Sequence, residues 1–116
     1  MLNVPTVYQP ILETSTKVLK VGPVPIGSSG NGTVLLTNFN GCHLHVFDIR
    51  LSESTDPTFD LPTLPRVPML VRSEESVGIQ VRFRPDRAGC ASGSLEISSD
   101  DPARPLARVA LYGTGA

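Results

Sequence analysis

The stretch Val77 to Pro85, VGIQVRFRP, constrains this chain more than any other. Val77, Ile79, Val81 and Phe83 alternate strictly with Gly78, Gln80, Arg82 and Arg84. A period of two puts the first set on one face of a β-strand and the second on the other, which no helix can do. Pro85 lacks a backbone N–H and so ends the ladder. The Asp86–Gly89 turn follows, then a strand over Ser92–Ser98. The Asp100-Asp101-Pro102 turn leads to a last strand over Leu106–Gly113.

Earlier segments read the same way. Strands are expected over Lys17–Val21, Thr33–Asn38 and His43–Leu51. In the last of these the apolar positions are Leu44, Val46, Ile49 and Leu51. The step from Val46 to Ile49 breaks the alternation by one residue, and a β-bulge would restore the facing. Ser52–Pro68 is an irregular connection with four prolines, anchored by Phe59 and Leu61, with room for one short strand. Helical periodicity and internal repeats are both missing. These features predict an all-β, immunoglobulin-like seven-stranded β-sandwich over residues 15–116. A chain of 116 residues suits one such domain.

Residues 1–14 are expected to form an extended N-terminal arm, with Val4, Val7, Tyr8, Ile11 and Leu12 as its apolar points. Pro5 and Pro10 keep it out of a helix and out of a central strand. It either packs along its own domain or adds to the edge of a neighbour. Val7, Tyr8, Ile11 and Leu12 are therefore candidate protein-binding residues. If Met1 is the natural start, the chain is cytoplasmic, because Met1–Leu12 lacks a basic, uninterrupted signal sequence.

Composition excludes several classes of function. A net charge of −1 creates no global field toward nucleic acid or anionic lipid. With aromatic residues at 5% and no Trp, base-stacking platforms are scarce. No apolar run reaches the ~20 residues that span a bilayer. Arg82, Arg84 and Arg87 form the one local basic cluster. It reads as a solvated strand face or as a docking patch for acidic peptide segments.

No catalytic constellation appears. Gly27-Ser28-Ser29-Gly30 lacks the strand–elbow–helix context of a nucleophile, and it has no Lys for a phosphate loop. Cys42, His43 and His45 offer three soft ligands in four residues, with both histidines on one strand face. A small metal site there is an alternative that needs further convergent ligands. Cys42 and Cys90 begin strands expected to start at opposite ends of the sandwich. A strand of ~8 residues runs ~25 Å, well beyond the ~7 Å between Cα atoms that a disulfide bridges. No cofactor is expected.

The ordered set VGPVPIG, TVLLTN, LHVFDI, Phe59, VGIQVRFRP, AGCASGSLEISSDDP and VALYGTG resembles the ASH/hydin-type immunoglobulin-like modules. These occur in bacteria as the choice-of-anchor D module and are relatives of major sperm protein domains. The resemblance spans residues 17–115. It is most specific at Phe83-Arg84-Pro85 with Gly89, at Ser98–Pro102, and at Leu111-x-Gly113-x-Gly115. It implies a non-enzymatic structural or docking module with protein partners or self-association. Two features depart from the family pattern: Arg72-Ser73-Glu74-Glu75 replaces a Pro-Gly-Ser-like run, and the arm has no counterpart.

Overall fold

A computed structural model describes residues 11–39 and 42–116. Among them are nine strands: β1 (Leu12–Thr14), β2 (Val18–Val24), β3 (Gly30–Asn38), β4 (Leu44–Leu51), β5 (Phe59–Asp60), β6 (Met69–Val71), β7 (Ser76–Phe83), β8 (Gly89–Ser99) and β9 (Leu106–Gly115). They form two sheets, ordered β1-β3-β7-β5 and β2-β9-β8-β4-β6. Every pairing is antiparallel except β2 with β9. The fold is the expected all-β, immunoglobulin-like sandwich, with two strands beyond the seven expected. One is β1, cut from the end of the arm. The other arises because the proline-rich connection leads into two short strands, β5 and β6, where one was anticipated.

Alternation builds the core. Ile79, Val81 and Phe83 of β7 are buried, and so are Val34 and Leu36 of β3 beside them. From the facing sheet, Leu95, Ile97, Val109 and Leu111 close the interior. The rings of Phe59 and Phe83 lie with centroids 4.9 Å apart, so the anchor expected in the long connection is in place. Gly113 lets the sheets approach here, since a Cβ on it would lie 2.7 Å from the Phe83 ring. Gly89 has φ of 110°, which L side chains rarely adopt, and it makes the turn out of β7 possible.

The bulge in β4 is also present. Pairing with β8 shifts between Val46 and Asp48, leaving Phe47 as the extra residue. Leu44 and Val46 on one side of it, and Ile49 on the other, all point inward.

Polar clasps join the sheets at the end where β8 turns into β9. Asp101, almost fully buried, accepts the backbone N–H of Leu12 at 3.0 Å and that of Ala103 at 2.8 Å. Within the second sheet, Asp100 after β8 accepts the N–H of His45 on β4 at 2.8 Å. Asn38, also buried, donates its side-chain amide to the carbonyls of Cys42 and Val71 and accepts the N–H of Ile11 at 3.4 Å. Buried polar groups must be bonded in this way to be tolerated.

Among the described residues, each of the four sheet edges carries a guard. β2 contains Pro23, β5 lies between Pro57 and Pro62, and β6 follows Pro65 and Pro68. The outward N–H of Leu12 in β1 is taken by Asp101, and its carbonyl accepts from Arg104 at 3.0 Å. Short edges, prolines and occupied backbone groups all oppose edge-to-edge growth.

Candidate interaction surface

The arginine cluster lies where its sequence placed it, but it is largely neutralised. Arg82, opposite Asp60 in the β5–β7 pairing, grips both carboxylate oxygens of that residue. Arg87 bonds Asp56 at 2.7 Å and Asp86 at 2.9 Å. Asp60 holds the Arg82 guanidinium above its ordinary pKa, and Asp56 does the same for Arg87. The backbone N–H and then the hydroxyl of Thr58, with Arg87 adding to them, hold Asp56 below the usual carboxylate range. Arg84 differs from the other two. Its backbone N–H is fixed to the Thr58 carbonyl at 2.9 Å, but its guanidinium makes no ion pair among the described residues. It lies between two open clefts, one lined by Gly27, Ser28, Ser29 and Pro85, the other by Pro57, Thr58, Asp60 and Asp86.

The Cys42-His43-Leu44-His45 run alternates as expected, with Leu44 buried and both histidines exposed. His45 Nδ1 lies 2.9 Å from Asp100 Oδ2, which turns it toward the β8–β9 turn. Among the described residues no three His, Cys, Asp or Glu side chains converge as metal ligands. Cys42 precedes β4 at the end where β8 finishes, Cys90 lies where β8 begins, and no disulfide joins them.

Of the arm residues singled out, Val7 and Tyr8 lie outside the described residues. Leu12 is fully buried and belongs to the core, because strand β1 carries it inward against β3. Ile11 is exposed. Its carbonyl accepts the N–H of Phe39 at 3.1 Å, and Phe39 is itself 61% exposed, so the two side chains mark the end of the first sheet.

A second group of large apolar side chains is exposed on the outer face of the second sheet. Phe47, at 53% exposure, is the bulge residue of β4. Leu70 of β6 pairs with His45, two residues before it. Leu106 of β9 pairs with Ser98, which pairs in turn with Asp48, the residue after Phe47. Strands lie ~4.8 Å apart, so the step from β6 to β9 confines all three side chains to a patch ~14 Å wide. Just beyond it, Glu96 on β8 accepts from Arg50 on β4 and from Arg108 on β9, each at 3.2 Å. Arg50, and then Arg108, hold the Glu96 carboxyl below its usual range. Phe47, Leu70 and Leu106 are thus apolar points set among His45, Asp48 and Ser98, and the Asp48 carboxylate accepts the Ile49 N–H at 3.0 Å and lies 3.5 Å from Arg50.

Sequence reasoning passed over Phe39, Phe47, Leu70 and Leu106. One signal for Phe47 was available: it occupies the extra position that the break between Val46 and Ile49 requires. A bulge commonly re-aims a side chain in this way.

No family profile matches the sequence, and no curated protein is similar to it in sequence. Solved structures do share its fold. The ASH/PapD-like domain of human CEP192 (PapD-like domain 7) superposes with a TM-score of 0.73 at 14% identity, over 100% of this chain and 94% of that one. The Vibrio cholerae VesB protease gives 0.69 at 13% identity, over 90% of this chain but 31% of the protease. WR4, a C. elegans MSP family member, gives 0.54 at 9% identity, over 90% of this chain and 97% of that one. At such identities the likeness is one of fold alone. This chain is an immunoglobulin-like β-sandwich of the form shared by ASH/PapD-like and major-sperm-protein domains.

Proposed function

We propose that this chain is a non-enzymatic protein-interaction and assembly module. The observation that carries the reading is the exposure of two of its four phenylalanines, Phe39 and Phe47, with Ile11, Leu70 and Leu106, around the end that holds the β8–β9 turn. Phe47, Leu70 and Leu106 cluster on one face, and clustered exposed apolar side chains mark contact surfaces. The titratable groups, by contrast, are mostly engaged with one another. The guarded edges shift the mechanism from strand addition toward side-chain packing at this end, together with Val7, Tyr8 and Ile11 of the arm. Leu12, committed to the core, drops out of the contact set.

A second reading, an adaptor for acidic peptides, now rests on Arg84, the one member of its cluster without a carboxylate partner among the described residues. Steep loss of binding with added salt and with Arg84→Ala would favour it over apolar packing.

The direct test is mass in solution over a concentration series, for the full chain and for one beginning at Ile11. Assembly by the full chain that is lost on removing residues 1–10 supports the arm as an assembly element. Monomers of both at every concentration would remove assembly from the proposal.

A further inference from the structure

Resting on the assembly reading, we infer that the Phe47–Leu70–Leu106 face is the acceptor for residues 1–10 of a second copy of this chain. The size of the patch argues for a segment. Two globular faces in a stable complex each bury ~800 Å², and three side chains within ~14 Å fall short of that. An extended segment of ten residues reaches up to ~33 Å and covers the patch with length to spare.

Chemistry selects which segment. Met1–Pro10 carries no charged side chain, and Val4, Val7 and Tyr8 supply its apolar contacts. The acceptor offers Phe47, Leu70 and Leu106, and the one carboxylate between them, Asp48, is already engaged by the Ile49 N–H and by Arg50. At its rim the charges are already paired, Glu96 with Arg50 and Arg108, and His45 with Asp100. Such a surface rejects a charged strand, whose ions would lose water without gaining partners, and it takes an uncharged one.

Backbone preference favours the second copy. Ile11 is held at the end of the first sheet by Asn38 and Phe39, while the acceptor lies on the outer face of the second sheet. Val4 and Gln9 precede prolines, which biases both toward extended backbone. A sequence of that kind favours a run away from the root over a reversal across the end of its own sandwich.

The test uses sedimentation equilibrium of the full chain, Tyr8→Asp, Phe47→Ser and, as a control on the other sheet, Leu35→Ser. Wild type and Leu35→Ser are expected to associate alike. Tyr8→Asp and Phe47→Ser should each need about 30-fold higher concentration, the effect of losing a central aromatic anchor. Phe47 is exposed and outside the ladder, so Phe47→Ser should melt within about 3 °C of wild type. The decisive sample is a mixture of Tyr8→Asp and Phe47→Ser. One partner then has an intact acceptor and the other an intact arm, so heterodimers should form where neither variant associates alone. If Phe47→Ser associates like wild type, or the mixture stays monomeric, the acceptor is wrong although arm-driven assembly stands. Association indifferent to Tyr8→Asp, or a wild type monomeric throughout, overturns the arm reading and this inference with it.

Discussion

Asp101 carries more of the tertiary structure than its place in a surface turn would indicate. One carboxylate organises the turn through the N–H groups of Ala103 and Arg104 and reaches across to Leu12 in the other sheet. Replacing it with Ala leaves the N–H of a fully buried residue without a partner, which costs about 1–3 kcal/mol. Urea denaturation of Asp101→Ala should show that loss, and an unchanged midpoint would mean that water substitutes for the carboxylate. Gly113 is a second such point. A methyl group there meets the Phe83 ring, which is itself packed on Phe59 and cannot easily yield. Gly113→Ala should destabilise by about 1–3 kcal/mol, as overpacked cores do, whereas Gly78→Ala, with ordinary clearance, should not.

At the scale of strands, the ladder Arg50–Glu96–Arg108 ties β4, β8 and β9 on their outer face, while Asp56 and Arg87 tie the long connection to the turn after β7. Both carboxyls have folded-state pKa values below their unfolded ones, so the unfolded chain binds more protons as the solution is acidified. Their contribution is complete above the ordinary carboxylate pKa of about 4 and is lost as pH falls through the folded values. Their share of the stability should therefore be level above about pH 5 and fall on acidification. Chemical denaturation at a series of pH values should show a shallower fall for Asp56→Asn and Glu96→Gln than for wild type. The strands themselves were readable from sequence where facing alone decides them, as in Ile79, Val81 and Phe83, and even the β4 bulge followed from the misplaced Ile49. The exposed apolar cluster was not, because it depends on which strands become neighbours. Arg82 looked available until β5 brought Asp60 beside it, from 22 residues away. Leu70 and Leu106 joined Phe47 only through pairings that no local pattern encodes.

For the whole molecule, the stretch that sequence alone reads as an arm contributes at least one residue to the scaffold. Leu12 fills the core and Ile11 does not, so truncation should have a threshold. A chain beginning at Ile11 should melt close to the full chain. One beginning at Glu13 should lose about 2–5 kcal/mol, the cost of removing a buried leucine side chain. Thermal melts of the two would settle it, and equal stability would place Leu12 outside the core. The bulge at Phe47 has a different kind of consequence. The inward positions before it, Leu44 and Val46, and those after it, Ile49 and Leu51, are each in phase with the interior. The extra residue sits outside the pairing register, like a spare character in a line of text whose reading survives its loss. Changes of side chain at position 47 leave the packing code of β4 intact. A lineage carrying this fold can therefore exchange what it displays there without renegotiating how it folds.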